Sequence, residues 1–379
     1  MTTILGGHCT DFARNAARDG KTIGDLMTEA VHGALADARI DARDIGVVHV
    51  GNFTAELFAD QGQLGGLVAA LPGFDGVPSA RHEAACASGS VAVLAAMADL
   101  EAGRYETALV VGVELMRNVP GDVAARHLGV AALAGEADGA RYLWPALFDE
   151  VLSAYRARHG VERRHLVQLA RQGYVNARSN MNAQTRIWTI DGSTFAEADT
   201  NPVVHGALRR GDCAQVTDGA CAVVLGRGVS GPIIKGWGHR TAPIALADKL
   251  ARAPADGWMF PRLRRTIVDA RAGRHPTPQV DALEIHDCFS ITGYIILDHL
   301  GLAPPGNVGR LIDQGHFAPD GPLPVNLSGG LVGMGHPVGA TGVRMLLDAA
   351  RLVRDGRRAV QTLNVGGSFT TTVSFVVGA

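Results

Sequence analysis

Cys86 sits in the run Glu83-Ala84-Ala85-Cys86-Ala87-Ser88-Gly89-Ser90, small residues placed directly before an apolar helical pattern. A thiol at a helix N-terminus meets the positive end of the helix dipole, which favours thiolate and lowers a pKa otherwise near ~8.5. Small neighbours leave room for a bulky acyl donor. Alone, such a cysteine is more often an inert buried residue; a second turn changes the reading. His336 lies in Gly333-Met334-Gly335-His336-Pro337-Val338-Gly339, again before a helical pattern, and is the candidate base for Cys86. The segment Glu284-Ile285-His286-Asp287-Cys288-Phe289 ends a strand-like run, and its His286 and Cys288, two positions apart, share one face of an extended chain. They offer an imidazole donor and a thiol acid/base, as an enolate requires. Asn364-Val365-Gly366-Gly367-Ser368 follows another strand-like run, and its glycines let a backbone N–H approach a substrate oxygen.

The elements that must position these groups form a weak internal repeat. Val93, Ala96, Met97 and Leu100 mark a helix stopped at Gly103 and followed by a strand from Thr107 to Val113. Val343, Leu346, Leu347 and Ala350 mark a second, stopped at Gly356 and followed by a strand from Ala359 to Val365. Gly89 precedes Gly103 by 14 positions, as Gly342 precedes Gly356. Val47 to Gly51 and Ala282 to His286 are the upstream buried strands, and Ala220 to Leu225 is another after Asp218-Gly219. A duplicated α/β unit of this kind predicts two sheets with helices between and outside them. An approximate two-fold axis would then bring the Cys86 and His336 turns together. From about Val119 to Gly211 the pattern shifts to amphipathic helices and aromatics such as Tyr142, Trp144 and Trp188, which reads as an inserted lobe over the strand ends.

The chain has 379 residues, 47% hydrophobic and 19% charged, with a net charge of -2. That balance supplies no field to draw nucleic acid or an anionic membrane, so a small molecule is the expected ligand. Neither a leader pattern nor a bilayer-spanning apolar run is present in the sequence, and the expected location is cytoplasmic. Five scattered cysteines, Cys9, Cys86, Cys213, Cys221 and Cys288, suit neither a disulfide framework nor a zinc site. There is no phosphate loop or dinucleotide fingerprint.

Together, Cys86 in its Ala-Ser-Gly setting, the His286-Asp287-Cys288-Phe289 block, Gly335-His336-Pro337 and the Gly366-Gly367 turn resemble a thiolase, more narrowly the sterol-carrier-protein type. The resemblance runs in order over essentially the whole chain. It implies an α/β thiolase fold of two five-stranded sheet halves in a layered αβαβα arrangement, residues 1–228 and 229–379, with the inserted loop domain at about 119–211. It implies that Cys86 is the acyl-accepting nucleophile and His336 its base, and that His286 stands where other thiolases carry an asparagine that holds a catalytic water. Backbone N–H groups of Cys86 and Gly366 would form an oxyanion hole. The expected activity is thiolytic cleavage of a 3-oxoacyl-CoA or the reverse condensation, with coenzyme A as co-substrate, no permanently bound cofactor and no metal. A homodimer or tetramer is expected, and a small zinc-ribbon protein is the partner class considered. The chain departs from most thiolases at Asn364, where they carry a second catalytic cysteine; in the sterol-carrier type Cys288 takes that role. The rivals are a decarboxylating ketoacyl synthase and a thiolase-like scaffold subunit without its own turnover. Arg209 and Arg210 read as solvated rather than as ligands of coenzyme A phosphates.

Overall fold

A computed structural model describes residues 1–136, 139–228, 230–255, 257–273 and 279–379. The strands of the first half are β1 (Thr2–Cys9), β2 (Val47–Gly51), β3 (Ser79–His82) and β4 (Thr107–Glu114). A hairpin of β5 (Val203–His205) and β6 (Leu208–Arg209) follows, then β7 (Gly219–Arg227) and β8 (Ile233–Thr241), and finally β9 (Ala282–Ile285), β10 (Ala359–Gly366) and β11 (Thr371–Gly378). Most are continuous apolar, β-branched runs buried on both faces, as strands covered by helices on both sides must be.

The sheet order is β3-β2-β4-β7-β1-β8-β11-β10-β9. Read outward from the middle it repeats itself. β2 pairs parallel with β4 and β4 antiparallel with β7; β9 pairs parallel with β10 and β10 antiparallel with β11. The two expected sheets are joined at one seam, where β1 and β8 pair only through Thr2 with Ile234 and Thr3 with Ile233. Among the described residues the second half carries four of the expected five strands; Val325 stands at the fifth position and makes a single parallel bridge to Leu283.

Helices Ser88–Glu101 and Thr341–Arg354 lie back to back on the inner faces of the two halves and share one core with Val110, Val223, Val360 and Val373. They cross at glycine because nothing larger fits. A Cβ at Gly89 would lie 2.6 Å from the Gly339 carbonyl oxygen, and one at Gly342 would collide with the Ser90 backbone nitrogen. Gly103 (φ +71°) and Gly356 (φ +104°) end the same helices in the left-handed conformation that favours glycine. The 14-residue spacing therefore measures the distance from the crossing point to the helix stop. On the outer faces, helix Ile23–Ala38 covers β1 and β7, and helix Pro261–Ala272 covers β8 and β11.

The segment from 119 to 211 holds helices Gly121–Gly129, Leu143–His159 and Arg163–Ala177 and the β5–β6 hairpin. It is not a separate globule. Phe148 stacks on Phe289 with ring centroids 4.6 Å apart, and Leu147, Val151 and Tyr155 enter the same core as Tyr294 and Phe369. Among the described residues no helix is long and apolar enough to cross a membrane.

One cysteine expectation is corrected. Cys9 and Cys221 are directly opposed residues of β1 and β7 and are joined as a disulfide, leaving Cys86, Cys213 and Cys288 free. Their separation of 212 residues hid a pairing that sheet register creates.

Candidate active site

The chain leaves β3 and turns sharply at Ala85, a non-glycine residue with φ +50°, before a 3-10 turn Ala85–Ala87 starts helix Ser88–Glu101. The turn is held locally. The Ala84 N–H donates to Ser88 Oγ at 2.9 Å, and that hydroxyl donates to the Ala85 carbonyl at 2.6 Å. This presents the Cys86 side chain to a cavity of about 410 Å³ that is also lined by His286, Cys288, His336 and Gly367.

The expected two-fold meeting occurs. Cys86 Sγ, one ring nitrogen of His286 and one of His336 all lie within 4.8 Å of one another. The two imidazoles meet edge to face with centroids 5.0 Å apart. His336 follows Gly335, whose φ of +111° lets the chain reverse after the short helix Gly330–Met334. The His336 backbone N–H donates to Thr217 Oγ1 at 3.0 Å. His336 Nδ1 lies 2.7 Å from Thr341 Oγ1, and the Thr341 hydroxyl donates its only proton to the Pro337 carbonyl at 3.0 Å. Nδ1 must therefore carry the proton and donate, which leaves Nε2 with a free lone pair. Thr341 went unremarked in the sequence, although it stands only five positions beyond His336.

The electrostatics correct the expectation of a thiolate at rest. Burial pushes the Cys86 thiol up to about 12, outweighing an opposing contribution from the Gly367 N–H at its sulfur, and the Glu114 carboxylate adds to the rise. Burial pulls His336 down to about 3, with Arg344 adding to the effect, and pulls His286 well below its ordinary value, with His336 and Arg344 adding. The resting pair is thiol and neutral imidazole, so Cys86 must lose its proton as it reacts. Cys288 lies 3.6 Å from Thr292 Oγ1; its thiol is driven well up by burial first and by Cys86 second.

Gly366 ends β10 with its α-carbon packed against the Ala84 carbonyl, where a side chain would collide. Gly367, one residue further and at φ +62°, lines the cavity beside Cys86, and its N–H favours the thiolate. Asn364, in the position of the absent cysteine, points its side chain at His286, with Nδ2 at 3.1 Å from Nδ1.

Two supporting clusters were not foreseen. Glu114 accepts N–H groups from Phe53 at 3.0 Å, Thr54 at 3.2 Å and Gly339 at 3.1 Å, tying the loop after β2 to the His336 loop, and burial raises its carboxyl to about 7. Arg344, fully buried, bonds Ser328 Oγ and Asp348 and lies 3.6 Å from the buried Glu284. Most of the remaining wall is apolar, with Phe53, Met116, Leu128, Trp144, Phe148 and Val338, and Gln215 adds a polar side chain. Exposed Arg210 stands at its edge, whereas Arg209 is turned away to the Asn201 carbonyl at 2.9 Å.

A duplicated α/β fold that brings a cysteine and a histidine from its two halves to one buried point defines a narrow class of protein. The Thiolase, N-terminal domain family model matches residues 2–228, and the Thiolase C-terminal domain-like model matches residues 267–377. The chain belongs to the thiolase family. It is 32% identical to an acetyl-CoA acetyltransferase of Methanothermobacter thermautotrophicus, with 91% of each chain covered. It is 24% identical to sterol carrier protein 2 of Homo sapiens, covering 98% of this chain and 71% of that one. Among solved structures, the Ltp2-ChsH2(DUF35) aldolase superposes with a TM-score of 0.80 at 21% identity, covering 100% of this chain and 97% of that chain.

Proposed function

We propose that the protein is an acyltransferase that cleaves a 3-oxoacyl-CoA with coenzyme A, or runs the reverse non-decarboxylating condensation, through an acyl-Cys86 intermediate. The observation that carries this reading is the convergence of Cys86, His286 and His336 within 4.8 Å, with Cys288 in the same cavity. In the cleaving direction the Cys86 thiol passes its proton to His336 Nε2 as the sulfur attacks the 3-keto carbon. The bond between C2 and C3 breaks, leaving acyl-Cys86 and an enolate thioester. Cys288 gives its proton to the enolate carbon and becomes a thiolate. The thiol of coenzyme A then returns a proton to Cys288 and attacks the acyl group, and the departing Cys86 sulfur recovers its proton from His336. The N–H groups of Gly367 and Cys86 are the proposed donors to the oxygen that becomes negative at the acylated carbon; one such donor typically contributes about 10²–10³ in rate. Gly366, the expected donor, then serves by letting β10 approach Ala84.

Coenzyme A acts as co-substrate, and the apolar wall suits an acyl group with little polar character. A cytoplasmic location, a homodimer or tetramer and the domain boundary at 228/229 belong to the same proposal. Labelling with a radioactive acyl-CoA tests it: acid-stable label should appear on the native chain and vanish in Cys86→Ala. Undiminished turnover in that variant refutes the assignment. A decarboxylating synthase would require a malonyl rather than an acetyl thioester. A scaffold that works only with a partner, of the zinc-ribbon or another kind, would take up no label.

A further inference from the structure

Asn364 replaces a catalytic thiol yet lies fully buried at the centre of the site, and the mechanism above gives it no task. Its amide bridges two groups: Ser90 Oγ donates to Asn364 Oδ1 at 2.8 Å, and Asn364 Nδ2 faces His286 Nδ1 at 3.1 Å. The orientation of the amide is set by its surroundings. The oxygen rests in a notch beside the Gly342 α-carbon, where a Cβ would come within 2.8 Å of it, and it receives the Ser90 hydroxyl. A C–H group offers an NH₂ no acceptor, whereas an oxygen there takes the Ser90 hydroxyl, so the amide turns its NH₂ to His286. An NH₂ group only donates, so His286 Nδ1 must be the unprotonated acceptor. In a neutral imidazole the proton is then on Nε2.

We propose that Asn364 is a positioning residue that fixes His286 as the Nε2–H tautomer, making it a hydrogen-bond donor to the thioester oxygen of the enolate. The two histidines are thereby set in opposite tautomers. His336, held by Thr341, keeps its Nε2 lone pair and takes protons; His286, held by Asn364, offers an N–H and takes none. His336 and Arg344 are the titratable and charged groups that act on His286, and both oppose its becoming a cation, while the thiols Cys86 and Cys288 share its cavity. A neutral donor is the form left to it. The late cysteine position has thus exchanged proton transfer for tautomer control, while the free thiol sits on the neighbouring Cys288.

This inference rests on the enolate reading of the site, but its direct test does not require activity. Nitrogen-15 NMR of histidine-labelled native protein should show His286 Nδ1 unprotonated and Nε2 protonated. In Asn364→Asp, whose side chain only accepts, Nδ1 should become protonated. In Asn364→Leu, kcat for the carbon–carbon step should fall by about 10²-fold or more, the loss typical of one preorganised donor, with KM essentially unmoved. Resting protein with His286 Nδ1 protonated overturns the proposal without any variant, and so does an unchanged kcat in folded Asn364→Leu. If the tautomer is as stated but Cys86 takes no acyl label, the acyl-transfer reading falls and the tautomer assignment stands.

Discussion

Replacing Thr341 by Val removes one oxygen from the site and tests whether His336 acts as a base. The Thr341 hydroxyl accepts from His336 Nδ1 at 2.7 Å and donates to the Pro337 carbonyl at 3.0 Å. Valine keeps the branched shape but leaves a buried N–H without an acceptor, at a cost of about 1–3 kcal/mol. The imidazole avoids that cost by moving its proton to Nε2, where it blocks acceptance of the Cys86 proton. If the whole penalty appears as lost preference for the reactive tautomer, acylation slows by about 5- to 150-fold, at 1.36 kcal/mol per factor of ten. The assay is single-turnover labelling of Cys86 by a radioactive acyl-CoA, with chemical denaturation run alongside to show that the variant is folded. Thr341→Ser keeps the oxygen and should recover most of the rate. Wild-type acylation in Thr341→Val, or an equal loss in Thr341→Ser, would show that the hydroxyl does not control the base.

Cys288→Ala should still load an acyl group onto Cys86 yet lose hydrogen–deuterium exchange at the α-carbon of an acetyl thioester; unaffected exchange would remove Cys288 from proton transfer. With the Cys86 thiol raised to about 12, its thiolate fraction grows with pH throughout the accessible range. Alkylation of Cys86 by iodoacetamide should therefore climb roughly tenfold per pH unit up to about pH 10, and a plateau near neutral pH would contradict a thiol at rest. Gly342→Ala drives a methyl into the Ser90 backbone at the crossing of the two central helices. It should lower the denaturation free energy by about 1–3 kcal/mol or more and slow Cys86 labelling; native stability would mean that the helices can separate without loss.

The chemistry-bearing groups were legible because each lies in a short turn whose residue types have few other uses. Small residues before a helix, glycines around His336 and the two-residue spacing of His286 and Cys288 are local features, and the 14-residue glycine spacing disclosed the duplication that brings them together. The neighbours that give these groups their state were harder to see. Gly367 lines the cavity beside Cys86 where the chain turns at φ +62° after β10, a step that the glycine pair alone does not disclose. Glu114 and Arg344 carry no local signal, since their importance lies in partners more than 200 and about 60 residues away, Gly339 and Glu284. The Cys9–Cys221 pairing is likewise a matter of register.

Which side chains can react, and that two similar halves carry them, follows from residue type and local pattern, because turns, helix stops and strand alternation act over a few neighbouring residues. Protonation states do not follow in that way. A helix N-terminus argued for a Cys86 thiolate, but the cavity that holds the half-buried side chain is walled largely by apolar groups, and desolvation outweighs the dipole. The proton positions on His336 and His286 likewise depend on a hydroxyl and an amide that packing alone delivers, the amide across 78 residues of chain. Hydrogen bonding and desolvation depend on distance in space, and distance in space is what folding supplies.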